Sequence, residues 1–404
     1  MVGYFDSKGS RMKQRRSIVA AGAAALAASV LTVSPAHAAV TINGSGSTAV
    51  KNLLDVCIPD YQKTSGNTVN YAGGGSGAGR SAFAAGTVDF AFSDAAYGKS
   101  DAKPTDFNYI PNVSFPLAMI YNLPSVKDPI NLSGETLANI FAGKITKWND
   151  PAIVADNNKT IETPVYKTQV VTDKKTKKKT TVTVKDKSGK PVIASVNKST
   201  VSIALPNTAI TVWYRSDKSG STGILTNYLT TLAPSVWSKA GSAGNQTFTS
   251  AFPGDVPAGT FQGASGSDGV ANGIASKDGS IGYGETSYAV ERKLGVVSIK
   301  NSAGEYVAPT ADGTAAFLND FAPGAKGTVA VNVLSKASGA YPIASFSYGL
   351  AYGSGKDAEK QKAVKEFMTF VLGDCAAKYA ASKGYSPVTG RLADIAKAAI
   401  NDIG

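Results

Sequence analysis

Three short loops rich in glycine, serine and threonine constrain this chain more than any other feature. Each lies between a strand-like run and a helical run. Gly44-Ser45-Gly46-Ser47-Thr48 follows the strand-like Ala39–Ile42. It precedes a helix in which Val50, Leu53, Leu54, Cys57 and Tyr61 recur at helical spacing. Gly73-Gly74-Gly75-Ser76-Gly77 follows Thr68–Tyr71 and opens a helix of small residues. Ser219-Gly220-Ser221-Thr222 follows the β-branched and aromatic run Ile210–Arg215, and Ile224, Leu225, Tyr228 and Leu229 come after it. A further strand, Val88–Phe92, ends at Ser93-Asp94. Strand, glycine loop and helix alternate, which predicts an α/β fold. Near the end, Ala363, Val364, Phe367, Met368, Val371 and Leu372 form one apolar helical face.

The loops also predict a chemistry. The first turn of a helix carries free N–H groups and the positive end of the helix dipole. Glycine lets the backbone approach a ligand, and hydroxyls add donors, so such loops suit an oxyanion. A single one is more often an ordinary helix cap. Three in one chain, one with Arg215 just upstream, point to an anion. Arg215 offers a forked donor for a tetrahedral oxyanion. Asp94 suits such a site only if the anion carries a proton, because a carboxylate needs a donor to accept from.

Other chemistries are excluded or unsupported. The single histidine, His37, lies in a segment expected to be removed, which argues against histidine catalysis and most zinc sites. Cys57 and Cys375 are the only cysteines, too few for a metal cluster. No serine has glycine at both −2 and +2, and no phosphate-binding GxxxxGK[ST] motif occurs. No cofactor, metal or catalytic residue is expected.

Residues 1–38 read as a removable export signal. Lys8, Arg11, Lys13, Arg15 and Arg16 precede the apolar run Ile18–Val33, and Ala36-His37-Ala38 provides a cleavage site after Ala38. No cysteine at that site indicates a lipid anchor, so an exported, extracellular or envelope protein is expected. The whole chain carries a formal charge of +12. Ten lysines and two aspartates fall between residues 166 and 200, and the rest of the chain beyond the signal is close to neutral. A charge excess so localised argues against nucleic acid. Residues 166–200 alternate Val and Thr with Lys and predict a solvated two-stranded hairpin with a lysine-rich tip. Its Lys174, Lys175, Lys177, Lys178 and Lys179 either keep an insertion soluble or meet an anionic envelope polymer or a partner protein.

Several ordered motifs resemble one family. They are Gly44–Thr48, the run from Thr64 to Tyr71 leading to Gly75-Ser76-Gly77, and Thr87–Phe90 followed by Ser93-Asp94-Ala95. Further along come Ile140–Ile145 with Lys147–Pro151, then Arg215–Thr222, Ile281-Gly282-Tyr283 and Gly384–Pro387. Together they resemble the phosphate-binding proteins of Pst-type ABC transporters, which are class II substrate-binding proteins. The resemblance implies a two-lobe α/β fold with a ligand cleft between the lobes. The basic β-hairpin at 166–200 departs from the family pattern between Pro151 and Arg215 and is expected as an insertion within lobe II. Lobe I would hold 39–113 and 344–404, and lobe II 114–343. It implies that Thr48, Ser76, Ser219 and Ser221 donate hydroxyls to inorganic phosphate, with backbone N–H groups near Ala49 and Gly220. Arg215 would pair with the anion and be held by Asp217, and Asp94 would accept from protonated phosphate. Ala49 departs from the family, where an aromatic residue is common. The expected role is a monomeric, non-enzymatic receptor that delivers phosphate to an ABC permease. The alternative is a secreted member of the same fold used for envelope attachment or adhesion, or with weak phosphatase activity.

Export also bears on the two cysteines. In an oxidising compartment Cys57 and Cys375 are expected to pair, both within lobe I, with Cys375 starting the last helical segment. The alternative is two separately buried thiols.

Overall fold

A computed structural model describes residues 39–354 and 356–404, and the expected export signal lies outside the described residues. The chain opens with β1 (Thr41–Gly46), α1 (Lys51–Ser65), β2 (Thr68–Gly73), α2 (Ser76–Ala84) and β3 (Phe90–Ser93). β1 pairs in parallel with both β2 and β3, as connecting helices require. α1 buries Leu53, Leu54, Cys57 and Tyr61, the spacing seen in the sequence. It stops at Gly66, whose φ of 75° lets its N–H donate back to Gln62 O at 3.0 Å.

The long β4 (Phe107–Asn122) joins the two halves of the fold. Its first part, to Pro116, pairs antiparallel with Ala344–Tyr352, which also pairs with β3. From Leu117 onward it pairs antiparallel with Ser280–Glu285. That strand lies parallel to Thr211–Arg215, which in turn lies parallel to Phe261–Ala264. β4 is thus shared by two sheet halves, and this is the two-lobe α/β fold. Leu53, Leu54, Phe90, Phe367, Met368 and Ile400 belong to one apolar core. Trp148, Tyr228, Trp237, Phe248 and Ile281 belong to another.

Cys57 and Cys375 are both fully buried and form a disulfide, with Cα atoms 5.6 Å apart and 318 positions between them in sequence. The expectation that Cys375 starts a helical segment is corrected. Cys375 closes a widened turn, Val371–Cys375, inside one helical run from Ala358 to Tyr379. Gly373-Asp374 suggested a break, since glycine weakens a helix by about 1 kcal/mol. Burial of Val371, Cys375 and Ala376 on the core side outweighs that cost.

The lysine-rich segment is larger than the expected 166–200 hairpin and contains two ladders. Asn158–Tyr166 pairs antiparallel with Ile193–Ser202, and Thr168–Thr172 pairs antiparallel with Lys179–Thr183. The sequence boundary fell inside the outer ladder because Asn158–Val165 has only one lysine, and the charge run marked only the distal part. Every residue of the four strands is exposed. Asp173 ties the inner turn, accepting from the N–H groups of Lys175 and Thr176 at 2.8 and 2.7 Å. Asp186 does the same for Ser188 and Lys190 in a second turn.

Candidate anion-binding site

The three glycine loops meet at one buried point. Ser47 and Thr48 begin the β1–α1 connection, Ser76 opens α2, and Asp94 follows β3. Ser219 caps the helix Gly220–Leu232, accepting from Thr222 N–H at 3.3 Å. Ser47 Oγ donates to Asp94 Oδ1 at 2.5 Å, and Ser76 Oγ donates to Asp94 Oδ2 at 3.2 Å. Ser221 Oγ lies 3.4 Å from the same Oδ2. Gly220 is required for this approach. A Cβ there would lie 2.7 Å from both Asp94 Cβ and Ser76 Oγ, closer than a side chain can sit.

Arg215, 2% exposed, ends its strand beside these loops. Its Nε donates to Asp217 Oδ1 at 2.7 Å and its Nη2 to Asp217 Oδ2 at 2.5 Å, a two-point fork. Nη1 remains toward the cleft, 3.4 Å from Ser267 Oγ. Its backbone N–H donates to Tyr283 OH at 3.0 Å. Burial alone would lower the guanidinium pKa, but the Asp217 pairing outweighs it and raises the pKa. The same pair holds Asp217 below the usual carboxylate range against its own burial. Both partners therefore favour the ionised pair. Asp94 shifts the other way, upward, because burial outweighs the hydrogen bond from Ser47 and the pull of Arg215.

Thr48 faces the opposite wall, with Oγ1 3.2 Å from Ser267 Oγ and accepting from Ser267 N–H at 3.1 Å. Ala49 is fully buried and turned to structural bonds. Its N–H donates to Ser47 Oγ at 3.0 Å, and its carbonyl accepts from Tyr385 OH at 2.6 Å. Further contacts draw the walls together. Gly77 N–H donates to Lys218 O at 3.0 Å, and Lys218 Nζ donates to Asp101 Oδ1 at 2.9 Å. The five tip lysines of the arm form no salt bridge to any carboxylate among the described residues, and none of them touches this cluster.

Sequence reasoning missed four polar residues here. The sequence marks Ser47 only as part of the Gly44–Thr48 loop and not as a site residue, and it does not single out Ser267. Arg80, 2% exposed, donates to Ser93 Oγ at 2.7 Å and to Ala95 O at 3.2 Å, behind the Asp94 loop. Glu285, 1% exposed, lies 3.4 Å from Ser221 Oγ. Its only signal was a carboxylate two residues after Tyr283, at the end of an otherwise apolar strand.

Taken together, the residues make a buried, donor-rich cluster with one guanidinium nitrogen not used by Asp217 and one acceptor carboxylate. It suits a tetrahedral anion bearing a proton.

Comparison with known proteins agrees with that geometry. Residues 32–374 match the model of the PBP superfamily domain. The phosphate-binding protein PstS of Methanocaldococcus jannaschii is 30% identical over 385 residues, covering 90% of this chain and 86% of the relative. The phosphate-binding protein PstS 3 of Mycobacterium tuberculosis is 30% identical over 376 residues, with the same shares. PstS of Xylella fastidiosa is 29% identical over 330 residues, covering 81% of this chain and 76% of its own. Among solved structures, a high affinity periplasmic phosphate-binding protein bound with phosphate has a similar fold. Its TM-score is 0.61 at 22% identity, over 89% of this chain and 93% of that one. A fold of strand–glycine-loop–helix units around a buried Asp–Arg cluster, matched over most of its length to these relatives, places the chain in the PBP superfamily as a member of its Pst-type phosphate-binding proteins.

Proposed function

We propose that this protein is an exported receptor that captures inorganic phosphate between its two lobes and delivers it to an ABC permease. One observation carries the reading: Asp94, three serine hydroxyls and Arg215 converge on one buried point that only the assembled fold creates. On binding, Ser76 and Ser221 turn their hydroxyl hydrogens from Asp94 to the anion, and Thr48 and Ser219 donate as well, with N–H groups near Ala49 and Gly220. Arg215 pairs with it, oriented by Asp217, and Asp94 accepts from its proton. Fully ionised sulfate has no proton to give, so Asp94 repels it.

Lobe I comprises 39–113 and 344–404, lobe II 114–343, and closure bends the two crossings near Asn112-Val113 and Pro342–Ser345. The shared core of α1 with the C-terminal helices supports this division. Among the described residues no helix is long and apolar enough to cross a membrane, in keeping with delivery to a separate permease. The protein acts by binding, with no chemical step, and as a monomer. Calorimetry of the mature protein tests the reading: phosphate binds with release of heat and sulfate fails to compete. Equal affinity for both anions would refute the Asp94 assignment.

A second role belongs to the arm. Lys174, Lys175, Lys177, Lys178 and Lys179 hold the protein against an anionic envelope polymer, a reading that rests on their lack of carboxylate partners among the described residues. Retention on heparin resin, lost on deletion of the arm and in high salt, tests it.

A further inference from the structure

The cleft contains a second buried carboxylate that the phosphate-binding reading does not use. Glu285 ends the strand Ser280–Glu285 and is 1% exposed. Its Oε1 lies 3.4 Å from Ser221 Oγ, the hydroxyl that also lies 3.4 Å from Asp94 Oδ2. Its Oε2 is buried and has no hydrogen-bond partner. Ser221 has a single hydrogen and can serve only one of the two carboxylates at a time.

Charge counting shows what this arrangement demands. The Arg215 charge is matched by Asp217 at two points. If Asp94 and Glu285 were both ionised, the site would hold two negative charges before any anion arrived, offset only by Arg80 behind the Asp94 loop, which also faces Asp101 at 3.8 Å. Like charges in a dry site do not both ionise, so the two acids share a proton. Asp94 already accepts from Ser47 and Ser76, which favours its ionised form. Glu285 lacks such donors at Oε2, so the proton rests there. The titratable and charged groups around Glu285 agree. Asp94 faces it across Ser221, and Arg215 with Asp217 behind it lies on the neighbouring strand. Tyr288 on the following helix and Tyr385 ahead of the last helix are held neutral by burial. Burial, followed by the Asp94 charge, pushes the Glu285 pKa up from 4.5 to about 7.

We propose that Glu285 is a specificity-determining residue that meets phosphate as a neutral carboxyl, donating to an unprotonated phosphate oxygen while Asp94 accepts from the protonated one. The proposal rests on the cleft being the phosphate site. It turns the two acids into a matched donor and acceptor, and it makes capture depend on a proton that the protein holds.

The test is calorimetry of phosphate binding to wild type, Glu285→Gln and Glu285→Ala from pH 6 to 9, in two buffers of different ionisation enthalpy. Above pH 7 the wild type loses affinity more steeply than Glu285→Gln, by up to about tenfold per pH unit for one linked proton. It also takes up close to one proton more per phosphate bound. Glu285→Ala, which has no donor, binds at least about tenfold more weakly than Glu285→Gln at every pH. The infrared spectrum of phosphate-bound wild type at pH 8 shows a protonated carboxyl, a readout that needs no variant to fold. Coincident pH profiles for wild type and Glu285→Gln, or no protonated carboxyl in the bound wild type, overturn the proposal and leave the phosphate site standing. Failure of the wild type to bind phosphate at any pH overturns the site and this proposal together.

Discussion

The cleft and the arm both carry charge, in opposite ways. In the cleft the ionised groups are buried or half-buried and each has a partner: Arg215 with Asp217, and Asp94 with Ser47 and Ser76. On the arm lysines stand in water, and the outer ladder's Lys198–Glu162 contact at 2.6 Å joins two exposed side chains. Among the described residues, the arm also carries nine of the eleven large exposed apolar side chains, Ile161, Val165, Tyr166, Val170, Val171, Val182, Ile193, Val196 and Val201. Burial makes a few polar groups strong and selective, because desolvation penalises any ligand that leaves one unpaired. Exposure makes many charges individually weak and sensitive to salt. One region has the partnered, buried groups that discriminating a small anion requires. The other can attract only by numbers.

The comparison can be broken most easily at Arg215. Arg215→Ala removes the cleft's free cationic edge and strands Asp217 in a half-buried position. Phosphate affinity should fall by roughly tenfold to a hundredfold or more, since charge-assisted bonds contribute roughly 1.5–3 kcal/mol each. Calorimetry checks this, and a loss under threefold would mean that the cleft does not depend on buried charge.

Next in size is the disulfide, which anchors the framework without touching ligand. Cys57→Ser with Cys375→Ser should cost about 2–5 kcal/mol of stability in denaturant unfolding. Phosphate affinity should stay the same, because the bridge lies within one core and does not cross the cleft. A large loss of affinity would tie that core to the site more closely than the fold suggests.

Asp94→Asn sharpens the contrast on the selectivity side. The amide can donate to an unprotonated oxygen, so the phosphate-to-sulfate affinity ratio should drop by about tenfold or more, as one charge-assisted bond is worth. An unchanged ratio, measured by competition, would remove Asp94 from its role.

A smaller effect follows from pH. The folded protein holds a proton on Glu285 between the unfolded value of 4.5 and about 7. The folded state therefore binds more protons in that window. The contribution is fully present below about 4.5 and is lost as pH rises to about 7. The melting temperature of unliganded wild type should fall across this window by a few degrees relative to Glu285→Gln, at roughly 2–4 °C per kcal/mol for a domain of this kind. Parallel melting curves would place Glu285 in a wetter setting than its burial implies.

The smallest effect on phosphate binding belongs to the arm. Asn158 and Ser202 face each other at its base, so residues 159–201 can be replaced by a tight turn. Phosphate affinity should change by less than twofold at fixed salt, while retention on heparin resin disappears. Weaker phosphate binding after the deletion would join the two regions that the structure keeps apart.

Much of the fold was legible because it is written locally. The α1 spacing and the β-branched run ending at Arg215 are short-range patterns that became the predicted elements. The glycine loops were rightly placed between strand and helix but drawn too long, since Gly44–Gly46 end β1 and Ser76-Gly77 and Gly220–Thr222 already lie in helices. The arm was legible as β structure with a lysine tip, but its base at 158–166 was not, since pairing with 193–202 is a long-range choice. The continuous helix through Gly373 was missed for a similar reason: its stability comes from what Val371 and Cys375 pack against.

The amino-acid order by itself determined the α/β class, the anion-suited loops, the place of the surplus charge and the residues Asp94 and Arg215. Only the tertiary structure decided that hydroxyls from loops more than a hundred residues apart reach one carboxylate. It alone made Gly220 irreplaceable, turned Arg80 inward and set Glu285 across Ser221 from Asp94. Local patterns depend on backbone geometry within a few residues. The protonation and partnering of a polar group depend instead on which distant groups exclude water from it, and that is settled only when the lobes are packed.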